Sequence, residues 1–145
     1  MIPRVGIDAK VVRVETKLDE SGSRVWETAA FAVGHHRGSA NPGERGNIVL
    51  SGHISSQREG AVFRHLPEVV VGDGIVLITV EQDYLYRVSK LAVVEPTHLE
   101  AVRPTTDETL TLITCVPDGV YSHRLVVTAK RVQPSGVTPL TSNAN

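Results

Sequence analysis

Apolar and polar positions alternate along several stretches of this chain, and none of them holds a helical period over three turns. The clearest run is Thr109-Leu110-Thr111-Leu112-Ile113-Thr114-Cys115. A second, Arg124-Leu125-Val126-Val127-Thr128, follows after a short break. A period of two sends successive side chains to opposite faces of a sheet. Val11-Val12-Arg13-Val14 has the same character, and Asn47-Ile48-Val49-Leu50-Ser51 has the length of a short buried strand. Residues 69–80 carry strand sequence around a Gly72-Asp73-Gly74 turn, and 84–94 read as a strand pair or one long bent strand. Residues 61–66 fit one helical turn ended by Pro67. Residues 96–102 fit a short helix with Thr97 as N-cap and Glu100 three positions on.

Between these runs lie turn-forming segments. Residues 19–23 are turn-like, 26–33 fit a short strand or an ordered loop, and 34–46 are rich in Gly, Asn, Pro and His. The last of these reads as a long loop, and long loops in compact domains tend to carry function. Seven or eight short strands separated by turn signals predict an all-β barrel or sandwich.

The length of 145 residues fits one domain with a real core. That domain is expected over residues 1–132, with 133–145 a flexible Pro/Ser/Gly/Asn-rich tail. A formal net charge of −1 and the lack of a basic stripe argue against nucleic acid as a partner. Scarce aromatics argue against base stacking as well. One cysteine excludes an intrachain disulfide and any multi-cysteine zinc site. No apolar stretch is long enough to span a membrane. The chain opens at Met1-Ile2-Pro3-Arg4-Val5, already in strand-like sequence, which reads as a truncated start, compatible with an N-terminal anchor having been removed.

The single thiol, Cys115, ends the longest alternating run, and Arg124 opens the next one nine residues later. His53 follows the compact 47–51 run and a glycine. A free thiol has a pKa of about 8.5 and needs help to act as a nucleophile at neutral pH. A neighbouring histidine can take its proton and later protonate a leaving amine. A guanidinium stays charged, so it cannot be the acid, but it can hold substrate and stabilise an oxyanion. Each residue alone has an ordinary structural reading: a buried core thiol, a hydrogen-bonded histidine, a solvated arginine. The three on separate β segments favour catalysis. Thr114, beside the thiol, is a candidate substrate contact or a packed strand residue. His35 and His36 are adjacent, so their side chains diverge, and no third ligand is spaced for a metal. His123 is expected to face away from Arg124, His65 and His98 to face solvent or pack locally, and Trp26 to act as a packing anchor. Glu59 and Glu68 read as solvated surface carboxylates. No cofactor is indicated.

These segments resemble the sortases, cysteine transpeptidases of the bacterial cell surface. Residues 109–115 are similar to the TLxTC signature around the family's nucleophile, 47–53 to its histidine strand, and 123–127 to its arginine strand. Ile2-Pro3-Arg4-Val5-Gly6-Ile7-Asp8-Ala9, Asn41-Pro42-Gly43-Glu44-Arg45-Gly46, Gly60-Ala61-Val62-Phe63 and Val71-Gly72-Asp73 fit as well. The resemblance covers residues 2–132 in order, and Val116-Pro117 resembles classes D, E and F. It implies an eight-stranded sortase β-barrel with one or two short helices. It implies Cys115 as nucleophile, His53 as general acid/base and Arg124 as oxyanion and substrate stabiliser. It implies a Thr-containing sorting-signal peptide and an amine from a cell-wall precursor or a pilin lysine as partners. It also implies an extracytoplasmic, membrane-anchored full-length protein. A cysteine hydrolase and a non-enzymatic β-barrel interaction module remain the alternatives.

Overall fold

The computed structural model describes residues 1–133 apart from 19, 23, 27, 28, 98, 99 and 118. The expectations for His98 and for the tail from 134 onward lie outside the described residues, as does that for the Trp26 side chain. Nine strands are described: β1 (Val11–Val14), β2 (Thr16–Leu18), β3 (Arg24–Trp26), β4 (Val33–His36), β5 (Gly46–Ser51), β6 (Gly74–Ile78), β7 (Asp83–Val94), β8 (Glu108–Val116) and β9 (His123–Arg131). Seven form one curled sheet in the order β1-β4-β5-β8-β9-β7-β6, while β2 and β3 pair separately. The helical pieces among the described residues are 3-10 turns at Pro3–Val5, Leu66–Glu68 and Glu100–Val102. The all-β expectation therefore holds.

The opening segment spans the two edges of the curled sheet. Met1 donates its terminal nitrogen to Val76 O in β6 and accepts from Val76 N, each at 2.8 Å. Val33 N, in β4, donates to Lys10 O. One face of the curled sheet carries the core: Ile48 and Leu50, Leu110 and Leu112, Leu125, Val127 and Ala129 converge there with Tyr86, Val88, Phe63 and Leu66. Burying each such aliphatic side chain is worth roughly 2 kcal/mol.

One local reading changes and another is resolved. Residues 34–36, expected in a loop, form part of β4. The reason is close packing: a Cβ on Gly34 would sit 2.9 Å from both methyls of Val14, so the glycine serves strand contact here. Residues 84–94, expected as a strand pair or one long bent strand, are the latter, with a register shift between Val88 and Lys90.

Topology sorts the chemistry. β5 runs parallel to β8, with Asn47 beside Thr109 and Ser51 beside Ile113. β9 runs antiparallel to β8, with Thr109 opposite Lys130 and Cys115 opposite Arg124. The ends of β5 and β8 and the start of β9 thus share one end of the sheet. At the other end, Glu108 accepts from Tyr86 Oη, from Gly43 N at 2.8 Å and from Arg131 Nη1 at 2.8 Å. Arg131 also lies over the Tyr84 ring. Burial, and then the Glu108 carboxylate, push the Tyr86 phenol pKa well above its ordinary value.

Candidate active site

Cys115 and Arg124 face each other directly across β8 and β9. Directly opposed residues of an antiparallel pair project from the same face of the sheet, with Cβ atoms about 5 Å apart. His53 reaches the same end along β5. The β5–β8 ladder runs one residue past β5, where Gly52 N donates to Ile113 O at 3.2 Å. A Cβ on Gly52 would meet Val62 at 2.8 Å and Phe63 at 2.9 Å, so only glycine lets this backbone tuck under that packing. The next residue, His53, has its carbonyl fixed by Phe63 N at 2.9 Å.

The polar atoms around these three residues are arranged unevenly. His53 Nε2 hydrogen-bonds to Glu59 Oε1 at 2.8 Å, and its side chain is 24 % exposed. Arg124 Nη1 donates to Tyr121 O at 3.3 Å and to His123 O at 3.1 Å, both carbonyls of its own loop and strand start. Cys115 is half-buried and unpaired by any disulfide. Among the described residues, neither His53 nor Arg124 hydrogen-bonds to the thiol.

Thr114 is 2 % exposed and alternates away from Cys115, on the face of Leu110 and Leu112. Its hydroxyl donates to Gly52 O at 2.7 Å, so it ties the cysteine strand to the histidine turn. Tyr121 makes a second tie between these elements. Tyr121, in the left-handed region with φ 59°, hydrogen-bonds through its hydroxyl to Ser55 Oγ at 2.8 Å. That bond joins the loop before Arg124 to the loop after His53.

The remaining histidines divide by environment. His35 Nε2 meets Ala40 O and His36 Nε2 meets Ser51 Oγ, each at 2.8 Å, so the two diverge. His36 is 3 % exposed. Burial, and then His35, lower its pKa to about 4. His65 pairs with Glu68, and His123 lies beside Ser122 and Glu95 on the surface.

Two features were not legible as functional in the sequence. Glu59 reads there as a surface carboxylate and is the partner of His53. Tyr121 carries no motif and spans two loops. The signal for Glu59 was its place in a tight Ser56-to-Gly60 turn six residues after the histidine.

A family model described as the sortase domain matches residues 1–132. This chain belongs to the sortase family. The sortase expected from the motifs is thus borne out. Sortase A of Bacillus anthracis is 36% identical over 83 residues, which cover 57% of this chain and 39% of that protein. Sortase D of Bacillus subtilis (strain 168) is 32% identical over 104 residues, covering 69% of this chain and 50% of that protein. The chain thus spans half or less of the length of these two sortases. A likeness to a Sortase D fits the class D/E/F features after the cysteine. Among solved structures, a lid mutant of Sortase A from Corynebacterium diphtheriae superposes with a TM-score of 0.77 at 30% identity, over 92% of this chain and 68% of that one. The sortase fold therefore holds. Among the described residues, no helix is long and apolar enough to cross a membrane.

Proposed function

We propose that this sortase is a cysteine transpeptidase that cuts a Thr-containing sorting signal and joins the freed carboxyl side to an amine. The observation that carries the reading is the direct opposition of Cys115 and Arg124 at the sheet end to which β5 delivers His53. The Cys115 thiolate attacks the carbonyl that follows the threonine, and a tetrahedral oxyanion forms. Arg124 turns from its loop carbonyls to that oxyanion, offering N–H donors and a fixed charge. The C–N bond breaks, protonated His53 gives its proton to the departing amine, and a thioester remains on Cys115. An incoming amine then attacks the thioester. Neutral His53 takes the proton of that amine, the C–S bond breaks, and the thiolate returns. The acceptor is an amine of a cell-wall precursor or a pilin lysine, and the site lies outside the cytoplasm in the full-length protein.

Thr114 acts in this scheme as a brace between the two catalytic elements, since its hydroxyl is already bonded to Gly52 O. The decisive experiment incubates the protein with a library of Thr-containing peptides, with and without oligoglycine, and reads intact masses. We expect a thioester adduct that disappears in Cys115→Ala and a ligated product when the amine is present. An adduct that persists in Cys115→Ala overturns the nucleophile. Cleavage that ignores added amines makes the protein a hydrolase.

A further inference from the structure

We infer that Glu59 is a positioning residue that fixes the tautomer of His53 and makes Nδ1 the atom through which its proton moves. The inference rests on the transpeptidase reading for its catalytic meaning. Its geometric basis is independent. The 2.8 Å contact from His53 Nε2 to Glu59 Oε1 engages one ring nitrogen, and among the described residues Nδ1 has no hydrogen-bond partner. A carboxylate accepts hydrogen bonds and cannot donate them, so Nε2 must carry the proton of the neutral ring. The Nδ1 lone pair is then the base, and Nδ1–H of the imidazolium is the acid.

The carboxylate is held in place by its backbone rather than by chance at the surface. Glu59 N donates to Ser56 Oγ at 3.0 Å and Gly60 N to Ser56 O at 3.1 Å, which closes a tight turn. Phe31 N donates to Glu59 O at 2.6 Å and ties the turn to the segment before β4. Gly60, at φ +87°, completes it, and a Cβ there would lie 2.6 Å from the Phe31 ring. The side chain of Glu59 itself is 48 % exposed, so the pair adds little to stability. What it supplies is orientation. Catalytic groups need angular precision, and a histidine with its second nitrogen engaged offers the other in one direction.

The test uses the full chain labelled with 15N in histidine, its Glu59→Ala and Glu59→Gln variants, and steady-state transpeptidation. Ring-nitrogen spectra of neutral His53 should report the Nε2–H tautomer in the parent and in Glu59→Gln, whose amide oxygen still accepts. Glu59→Ala should give a mixed tautomer population. Its kcat should fall roughly tenfold with KM within about twofold, while Glu59→Gln should stay within about threefold of the parent. A purely structural Glu59 would move melting temperature instead of tautomer. A parent His53 protonated on Nδ1, or a Glu59→Ala protein with parental kcat and tautomer, overturns the inference. An intact Nε2–H tautomer with no thioester on Cys115 sinks the transpeptidase reading, and with it the catalytic meaning of Glu59.

Discussion

The two ends of strands β8 and β9 are built from the same kinds of residue and treat them in opposite ways. At the Glu108 end, an acid, an arginine and a tyrosine pair with one another, with buried Arg131 Nε left without a partner: Glu108 takes hydrogen bonds from Tyr86, Arg131 and Gly43. Lys130 adds Asp107 and Thr109 to the same end. At the Cys115 end, seven residues along β8, the arginine rests on carbonyls of its own loop, and the thiol bonds to neither neighbour. Paired polar groups in a partly buried setting lock strands together. Accessible groups left with spare donors and acceptors, unlike buried Arg131 Nε, are available to something that is not part of the chain. The contrast separates scaffold from site without any appeal to motif.

The contrast breaks most visibly if Arg124 is neutralised. Arg124→Ala removes the expected oxyanion partner and should lower kcat/KM by about 10³-fold, close to 4 kcal/mol, with melting temperature almost unchanged. Transpeptidation with a defined peptide and circular dichroism melts check both halves. Normal turnover would remove Arg124 from the mechanism. The opposite end should show the opposite signature. Glu108→Ala leaves the Tyr86 hydroxyl and the Arg131 guanidinium without their acceptor in a largely buried place, at a cost of about 3 kcal/mol. For a domain of this size that lowers the melting temperature by roughly 10 °C, while turnover below the transition stays within a few-fold. If Glu108→Ala lost turnover but not stability, the division into scaffold and site would fail.

The same contrast explains what was legible in the sequence. Strand β8 stood out because threonines alternate with Leu110 and Leu112, and β5 and β9 because each holds a short continuous apolar run, Ile48 to Leu50 and Leu125 to Val127. The positions of Cys115, His53 and Arg124 at strand boundaries were legible for the same reason. Their convergence at one end depends on which strands pair and in which direction, and pairing is non-local. The His53–Glu59 and Tyr121–Ser55 bonds join loop residues, where no periodicity constrains the side chains. Strand β4 was hidden because Gly34 looks like a turn residue until the Val14 methyls are seen against it.

A third test turns on a buried histidine near the site end. His36, under the end of β5, is buried with its pKa lowered to about 4, and Ser51 is its partner. The unfolded chain binds a proton on this histidine near pH 6.5, while the folded chain resists until about pH 4. The unfolded state therefore holds more protons across that window, and stability must fall as pH drops from about 6.5 to about 4. The loss is on the order of 2 to 3 kcal/mol and levels off below pH 4. Urea unfolding at stepped pH measures it. The slope should flatten in His36→Gln, and an unchanged slope would assign the acid sensitivity to other groups.

The smallest expected effect concerns how firmly the two loops at the site are joined. Tyr121 occupies a left-handed backbone conformation that costs a non-glycine residue about 1 kcal/mol, and its hydroxyl spans to Ser55 across 2.8 Å. Backbone bonds from Val120 N and Tyr121 N to Pro117 O hold the loop's own shape. Tyr121→Phe keeps the ring and those backbone bonds and deletes only the link to the histidine loop. One exposed hydrogen bond is worth about 1 kcal/mol or less, so global stability should move by less than that. Turnover should fall about three- to fivefold, because Arg124 bonds to Tyr121 O and shares the loop's position. In a double-mutant cycle with Ser55→Ala, the double variant should fall by less than the product of the two single losses. Additive losses would mean that each loop is positioned alone, and that the site end is joined only by Thr114 and the strands beneath it.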